Sequence, residues 1–176
     1  MSQGHILLSG FMGSGKTTIG KMVAKEIIRP FHDLDEVIEQ MSQQTINEWF
    51  QLGEVEFRKY EKELLLTLLG FENAVIALGG GTLSNTFLLP VIDMIMKQHT
   101  LVWLDVSFEE SMMRVKQGHH QHTRPLLYIG IEELKKLYHA RQITYKNAPI
   151  RVSAEQSETQ ITKEIIHYCT MIHLQK

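Results

Sequence analysis

Gly10-Phe11-Met12-Gly13-Ser14-Gly15-Lys16-Thr17 follows the spacing G-x-x-x-x-G-K-[ST], which suits a loop that holds a polyphosphate. Its glycines reach backbone angles closed to other residues, so consecutive N–H groups can turn inward around an anion. Lys16 brings a point charge on a stem long enough for β- and γ-phosphates. The Thr17 hydroxyl is a hard oxygen ligand of the kind Mg²⁺ takes. A helix that starts here also points its positive end at the phosphates. The plain alternative is a glycine turn that binds nothing. The flanks argue against it: His5 to Ser9 reads as a short buried strand, and Thr18 to Ile28 as a helix with Ile19, Met22, Val23, Ala24 and Ile27 on one face.

Such a loop does not say what receives the phosphate. Neither the aspartate-x-x-glycine nor the N-K-x-D of a GTPase is present. Asp33 and Asp35 would share a face on an extended segment. One could support Mg²⁺ while the other accepts a hydrogen bond from a substrate hydroxyl, or the pair could simply cap a helix. Arg58 can clamp a carboxylate with its planar fork, or pair with Glu61 on the helix surface. Gly79, Gly80 and Gly81 allow close backbone approach to an anion, or form a plain turn. Arg124 ends a polar segment, Gln117 to Thr123, that reads as a lid bringing a cation to a transferring phosphoryl group. His119, His120 and His122 lie in that segment without a carboxylate or cysteine, which favours solvated histidines over a metal site. Arg141 offers a second anion clamp.

The elements that must position these groups alternate. Strands are expected at the chain start, near Phe31, at Ala74 to Leu78, at Thr100 to Val106 and at Ile150 to Val152. Between them, helices are expected after Asp35 with Val37, Ile38 and Met41 inward, and from Thr45 to Gly53. Further helices are expected at Glu54 to Leu69 with Val55 among its apolar residues, Ser84 to Met96, Phe108 to Lys116, Ile131 to Tyr145, and Glu158 to His173. The alternation predicts an α/β fold, a parallel sheet covered on both faces. Ligands then bind at the carboxyl ends of the strands, where Gly10–Thr17, Asp33/Asp35 and Gly79–Gly81 would converge.

The chain has 176 residues, of which 43% are hydrophobic, and a formal net charge of −2. That suits one domain over residues 1–176 and does not indicate a nucleic-acid partner. The single cysteine, Cys169, excludes an internal disulfide framework. With no membrane-length apolar run and no signal-peptide pattern, a cytoplasmic protein without membrane association is expected.

These residues together resemble the shikimate kinase family. The matching stretches are G-F-M-G-S-G-K-T at 10–17, F-x-D-x-D-x-x-I-E at 31–39, G-E-x-x-F-R-x-x-E at 53–61, L-G-G-G at 78–81, R-P-L-L at 124–127 and R-x-x-x-Y at 141–145. The resemblance implies a three-layer αβα P-loop kinase fold with a five-stranded parallel sheet. It implies a lid at about 115–126 and an acceptor-binding helical region at about 34–62. It implies ATP phosphates on Gly10 to Thr18, including Gly13, Ser14, Gly15, Lys16, Thr17 and Thr18. Mg²⁺ would sit at Thr17 and Asp33, and shikimate on Asp35, Arg58, Gly79, Gly80, Gly81 and Arg141. Arg124 would be the lid arginine at the phosphate and Arg114 the adenine-packing arginine; Lys16, Asp33, Asp35 and Arg124 would carry catalysis. It implies a monomer making shikimate 3-phosphate on the route to chorismate and the aromatic amino acids. Three departures stand out: Gln142-Ile143-Thr144 replaces the usual turn sequence after Arg141, the lid is longer and richer in histidine, and Trp49 and Phe50 sit one residue closer to Gly53-Glu54, which would reshape the wall of the acceptor site. Other kinases of this fold, acting on gluconate or nucleoside monophosphates, and a non-catalytic nucleotide-binding regulator are the alternatives.

Overall fold

The computed structural model describes residues 4–71, 73–117 and 130–174. Five strands run parallel in the order β2-β3-β1-β4-β5: β1 Ile6–Ser9, β2 Phe31–Asp33, β3 Val75–Ala77, β4 Thr100–Asp105 and β5 Ile150–Ser153. Leu7 sits in register between Ile76 of β3 and Leu101 of β4. Eight helices are seen among the described residues: α1 Lys16–Glu26, α2 Leu34–Ser42, α3 Ile46–Leu52, α4 Glu54–Leu69, α5 Leu89–Gln98, α6 Phe108–Gln117, α7 Ile131–Tyr145 and α8 Glu158–Leu174.

Strand alternation sorts the apolar residues onto two faces. Ile6, Leu8, Val102 and Leu104 face one core with Ile19 and Val23 of α1 and Ile161 and Ile165 of α8. Leu7, Ile76 and Leu101 face the other, with Leu34 and Ile38 of α2, Phe57, Leu64 and Leu65 of α4, and Ile95 of α5. A third cluster joins Phe11, Trp103, Phe108, Leu134, Tyr138 and Tyr145, packing α6 and α7 beside the phosphate loop. Helices on both faces of a parallel sheet are the three-layer αβα arrangement expected from the sequence.

Several boundaries differ from the sequence expectation. The helix expected from Ser84 begins at Leu89, so Pro90 lies in its first turn, where a missing N–H costs nothing. Thr82–Ser84 forms a short 3-10 turn instead. Met41, expected inward, is 65% exposed, and the apolar Val55 is 52% exposed, since α2 and α4 bury narrower stripes than their apolar content suggests. The last turn of α6 takes residues 115–117 of the expected lid; residues 118–126, including Arg124 and the three histidines, lie outside the described residues.

A histidine pair closes the opposite, amino end of the sheet. The Ala74 N–H donates to His5 Nδ1 at 3.0 Å, so Nε2 carries the proton and donates to the Leu69 carbonyl at 3.2 Å. The His5 N–H in turn donates to His99 Nδ1 at 3.2 Å. Burial and the neighbouring His5 push His99 down to about 4; burial lowers His5 too, with Arg29 and His32 adding their repulsion. The unfolded chain therefore takes up protons at these sites from about pH 6.5 downward, before the native protein does. Stability is retained above that value and drains as pH falls toward about 4. His99→Asn keeps an acceptor for the His5 N–H but cannot titrate. Its thermal midpoint should fall less than the parent's between about pH 7 and 4.5. An equal fall in both proteins would mean the pair does not titrate this way.

Candidate active site

Parallel strands deliver their carboxyl ends to one edge, and β1, β2 and β3 bring three segments there. The phosphate loop leaves β1. Gly13 and Gly15 take φ of 73° and 88°, the left-handed region a Cβ disfavours. Gly13 is also hemmed in: a Cβ there would stand 2.7 Å from the Ser111 carbonyl of α6. The Ser111 hydroxyl donates to the Met12 carbonyl at 2.6 Å and ties α6 to the loop. No side chain caps the start of α1, so its first-turn N–H groups are left for an anion. The buried Ser14 hydroxyl has no partner among the described residues. Lys16 Nζ donates to the Gly10 and Phe11 carbonyls at 2.8 and 3.0 Å, folded over the cradle it guards.

Asp33 closes β2 and does two jobs. Its Oδ1 accepts the Asp35 N–H at 3.1 Å, capping α2, and its Oδ2 accepts the Thr17 hydroxyl at 2.6 Å. The helix-cap and metal-support readings of this acid are thus compatible. Thr17 and Asp33 form a pair of hard oxygens beside the loop, a donor set that fits Mg²⁺ with water and phosphate oxygens completing it. Asp35 does not share an extended strand with Asp33, as the sequence suggested: α2 begins at Leu34 and places Asp35 in its first turn. Burial first, then the Asp33 and Glu61 charges, raise the Asp35 carboxyl to about 6 against the opposing pull of Lys16 and Arg58.

The acceptor side faces this across the glycine turn after β3. A Cβ on Gly79 would meet Asp35 Oδ1, Thr82 Oγ1 and Glu61 Oε1 at 2.8, 3.0 and 3.2 Å. One on Gly81 would stand 2.9 Å from Arg141 Nη2 and 3.1 Å from Arg58 Cζ, and one on Gly80 3.7 Å from the Gly10 carbonyl. The glycines therefore let backbone slip between the acids, the arginines and the phosphate loop. Arg58 reaches the turn from α4 and Arg141 from α7. Arg141 is buried, and its acidity is increased by burial, with repulsion from Arg58 adding to it. One turn along α7, the Tyr145 hydroxyl donates to the Gly80 carbonyl at 2.5 Å; burial pushes its own ionisation upward, so it stays a donor. The helix runs unbroken from Arg141 to Tyr145, so the changed residues after Arg141 introduce no turn. Arg58, Arg141, Phe50, Lys136 and Ala140 line a cavity of about 390 Å³. Phe50 is thus in the wall, while Trp49 stacks on Tyr60 at 4.8 Å.

Arg114, in α6, pairs with Glu110 at 2.7 Å and donates to the Ala154 carbonyl at 2.8 Å, just past β5 at the same sheet edge. Lys16, Thr17, Asp33, Asp35, Arg58, Gly79–Gly81 and Arg141 converge; Arg124 lies outside the described residues. The sequence reading missed Thr82, Asn85 and Ser111, short polar residues whose types carry no signal, and took Glu61 for a partly superficial residue although it is 0% exposed.

A phosphate cradle facing a compact anion site puts the chain among the P-loop kinases that phosphorylate small molecules. Comparison with known proteins narrows the class. A family model described as shikimate kinase matches residues 12–170. The shikimate kinase of Sulfurihydrogenibium sp. is 37% identical over 92% of this chain and 95% of its own length. The crystal structure of shikimate kinase from Aquifex aeolicus superposes with a TM-score of 0.77 at 34% identity, covering 93% of this chain and 94% of that one. Shikimate kinase from Acinetobacter baumannii, in complex with shikimate, gives a TM-score of 0.86 at 28% identity, covering 96% and 93%. The chain belongs to the shikimate kinase family.

Proposed function

We propose that the chain moves the γ-phosphoryl group of ATP to the 3-hydroxyl of shikimate, giving shikimate 3-phosphate and ADP for chorismate and aromatic amino acid synthesis. The observation that carries the acceptor half is the pair of arginines, Arg58 and Arg141, meeting at Gly81. Two cations held that close call for an anion between them, and a carboxylate fits their forks. Asp35 and the Gly79–Gly81 backbone then face the ring hydroxyls.

Phosphoryl transfer asks mainly for positioning and charge neutralisation. Gly13 to Thr18 cradle the ATP phosphates, with the Ser14 hydroxyl and the uncapped N–H groups of α1 available to them. Lys16 swings from the Gly10 and Phe11 carbonyls onto the β- and γ-phosphates. Thr17 and Asp33 hold Mg²⁺, which when bound neutralises phosphate charge. Asp35 accepts the hydrogen bond of the attacking hydroxyl and orients it. Arg124, from a lid that follows α6, comes to the transferring group, and Arg114 packs on adenine. Residues 34–62 form the acceptor-binding region, in one domain spanning 1–176. A cytoplasmic monomer suits this role; among the described residues no helix is long and apolar enough to cross a membrane.

A coupled ADP-release assay tests the reading. Release should depend on shikimate, stop with EDTA and resume with added Mg²⁺. Comparable turnover with gluconate or nucleoside monophosphates would reject the acceptor assignment, and binding of both substrates without ADP release would favour a regulator.

A further inference from the structure

Behind Arg58 lies a buried polar brace that the reaction itself does not use. Glu61, one turn along α4, accepts Arg58 Nη1 at 2.8 Å, the Thr82 hydroxyl at 2.6 Å and the Asn85 amide at 3.0 Å. The same Asn85 amide also donates to the Arg58 carbonyl at 2.7 Å, while its Oδ1 accepts the Phe87 N–H at 3.0 Å. That third bond fixes which end of the amide is nitrogen. Asn85 is 2% exposed and Thr82 0%. Backbone bonds Thr82 N–H to Gly79 and Asn85 N–H to Thr82 anchor both to the glycine turn.

Arg58 has a second partner. The Glu54 carboxylate, 65% exposed, accepts from Arg58 Nε and Nη2, each at 3.3 Å, on the outer side. Repulsion from Arg141 also drives the guanidinium outward. Of the two carboxylates Glu61 is the buried one and makes the shorter bond, so it is the fixed anchor that keeps the fork beside Gly81. We infer that Asn85 and Thr82 are positioning residues for the acceptor: by holding Glu61 they keep the Arg58 guanidinium facing the Gly81 backbone. This rests on the proposal that Arg58 grips the acceptor carboxylate.

Asn85→Asp conserves shape but turns both donated hydrogen bonds into oxygen facing oxygen. It should raise the KM for shikimate about tenfold, with kcat and the KM for ATP within about twofold. Thr82→Val should act in the same direction and Thr82→Ser should restore the parent value; this pair carries the test if Asn85→Asp does not fold. Arg58→Lys keeps a cation beside Glu61 but loses the fork. In that background Asn85→Asp should change the KM for shikimate by less than about twofold, because its route is already removed. The inference is overturned if Arg58→Lys raises the KM for shikimate while Asn85→Asp and Thr82→Val leave it unchanged. A full tenfold effect in the Arg58→Lys background overturns it as well, since Asn85 would then act elsewhere. If Arg58→Lys itself leaves the KM for shikimate at the parent value, the carboxylate assignment fails and the inference with it.

Discussion

Asp35→Asn is expected to remove most turnover and to stabilise the folded protein. The two effects share one cause. Asp35 lies in a pocket with the Asp33 and Glu61 carboxylates, and its carboxyl is raised to about 6. Since the ordinary value is 3.8, the native protein binds a proton here at pH values where the unfolded chain has lost it. Stability from this group therefore falls as pH rises from 3.8 to about 6, and the full cost of the charge is present above that. Asparagine removes the charge. Because Asp35 is partly open to water, the gain is on the order of 1–2 kcal/mol, a rise of several degrees in thermal midpoint. Turnover goes the other way. An amide no longer offers the attacking hydroxyl an ionised acceptor, a loss of about 10²–10⁴ in kcat/KM for shikimate. The parent's kcat/KM should decline below about pH 6, and this limb should vanish in the residual activity of the variant. An active variant, or an unchanged acid limb, would remove Asp35 from the chemistry.

The second large effect belongs to Arg58→Ala. Loss of a charge-assisted fork from a desolvated carboxylate costs about 2–5 kcal/mol, or roughly 30-fold to several thousandfold in affinity for shikimate. The KM for ATP should barely move, since Arg58 faces the glycine turn and not the phosphate loop. Stability should also drop, by about 3 kcal/mol, because Glu61 is left as a buried charge without its cation. The two consequences separate experimentally. Arg58→Ala combined with Glu61→Gln should recover much of the thermal midpoint and none of the affinity. Recovery of shikimate binding in that double variant would mean Arg58 acts only as a counter-ion to Glu61.

The contrast between these residues shows how far the sequence could be read. Gly10–Thr17 was legible because a phosphate cradle is local: its donors are consecutive backbone groups, so spacing alone describes it. The five strands were legible because apolar runs and glycine turns recur at the period a parallel sheet requires. The start of α5 was misplaced because a proline within an apolar run marks either a kink or a first turn. Glu61 was undervalued because its charge suggested a surface partner for Arg58, although its spacing from Phe57, Leu64 and Leu65 puts it on the buried face of α4.

The sequence by itself therefore determined which groups are present and which sheet edge they share. It named the phosphate loop, the acid pair, the arginines and the triple glycine, since residue type and short-range period are properties of the covalent chain. Only the tertiary structure decided what those groups become. It brought Arg58 of α4 and Arg141 of α7 to one glycine, put Asp35 in a helix turn rather than on a strand, and closed Glu61 into a brace with Thr82 and Asn85. Charge, hydrogen bonding and acidity depend on what lies within a few ångströms and on how much water remains, and distant segments supply both.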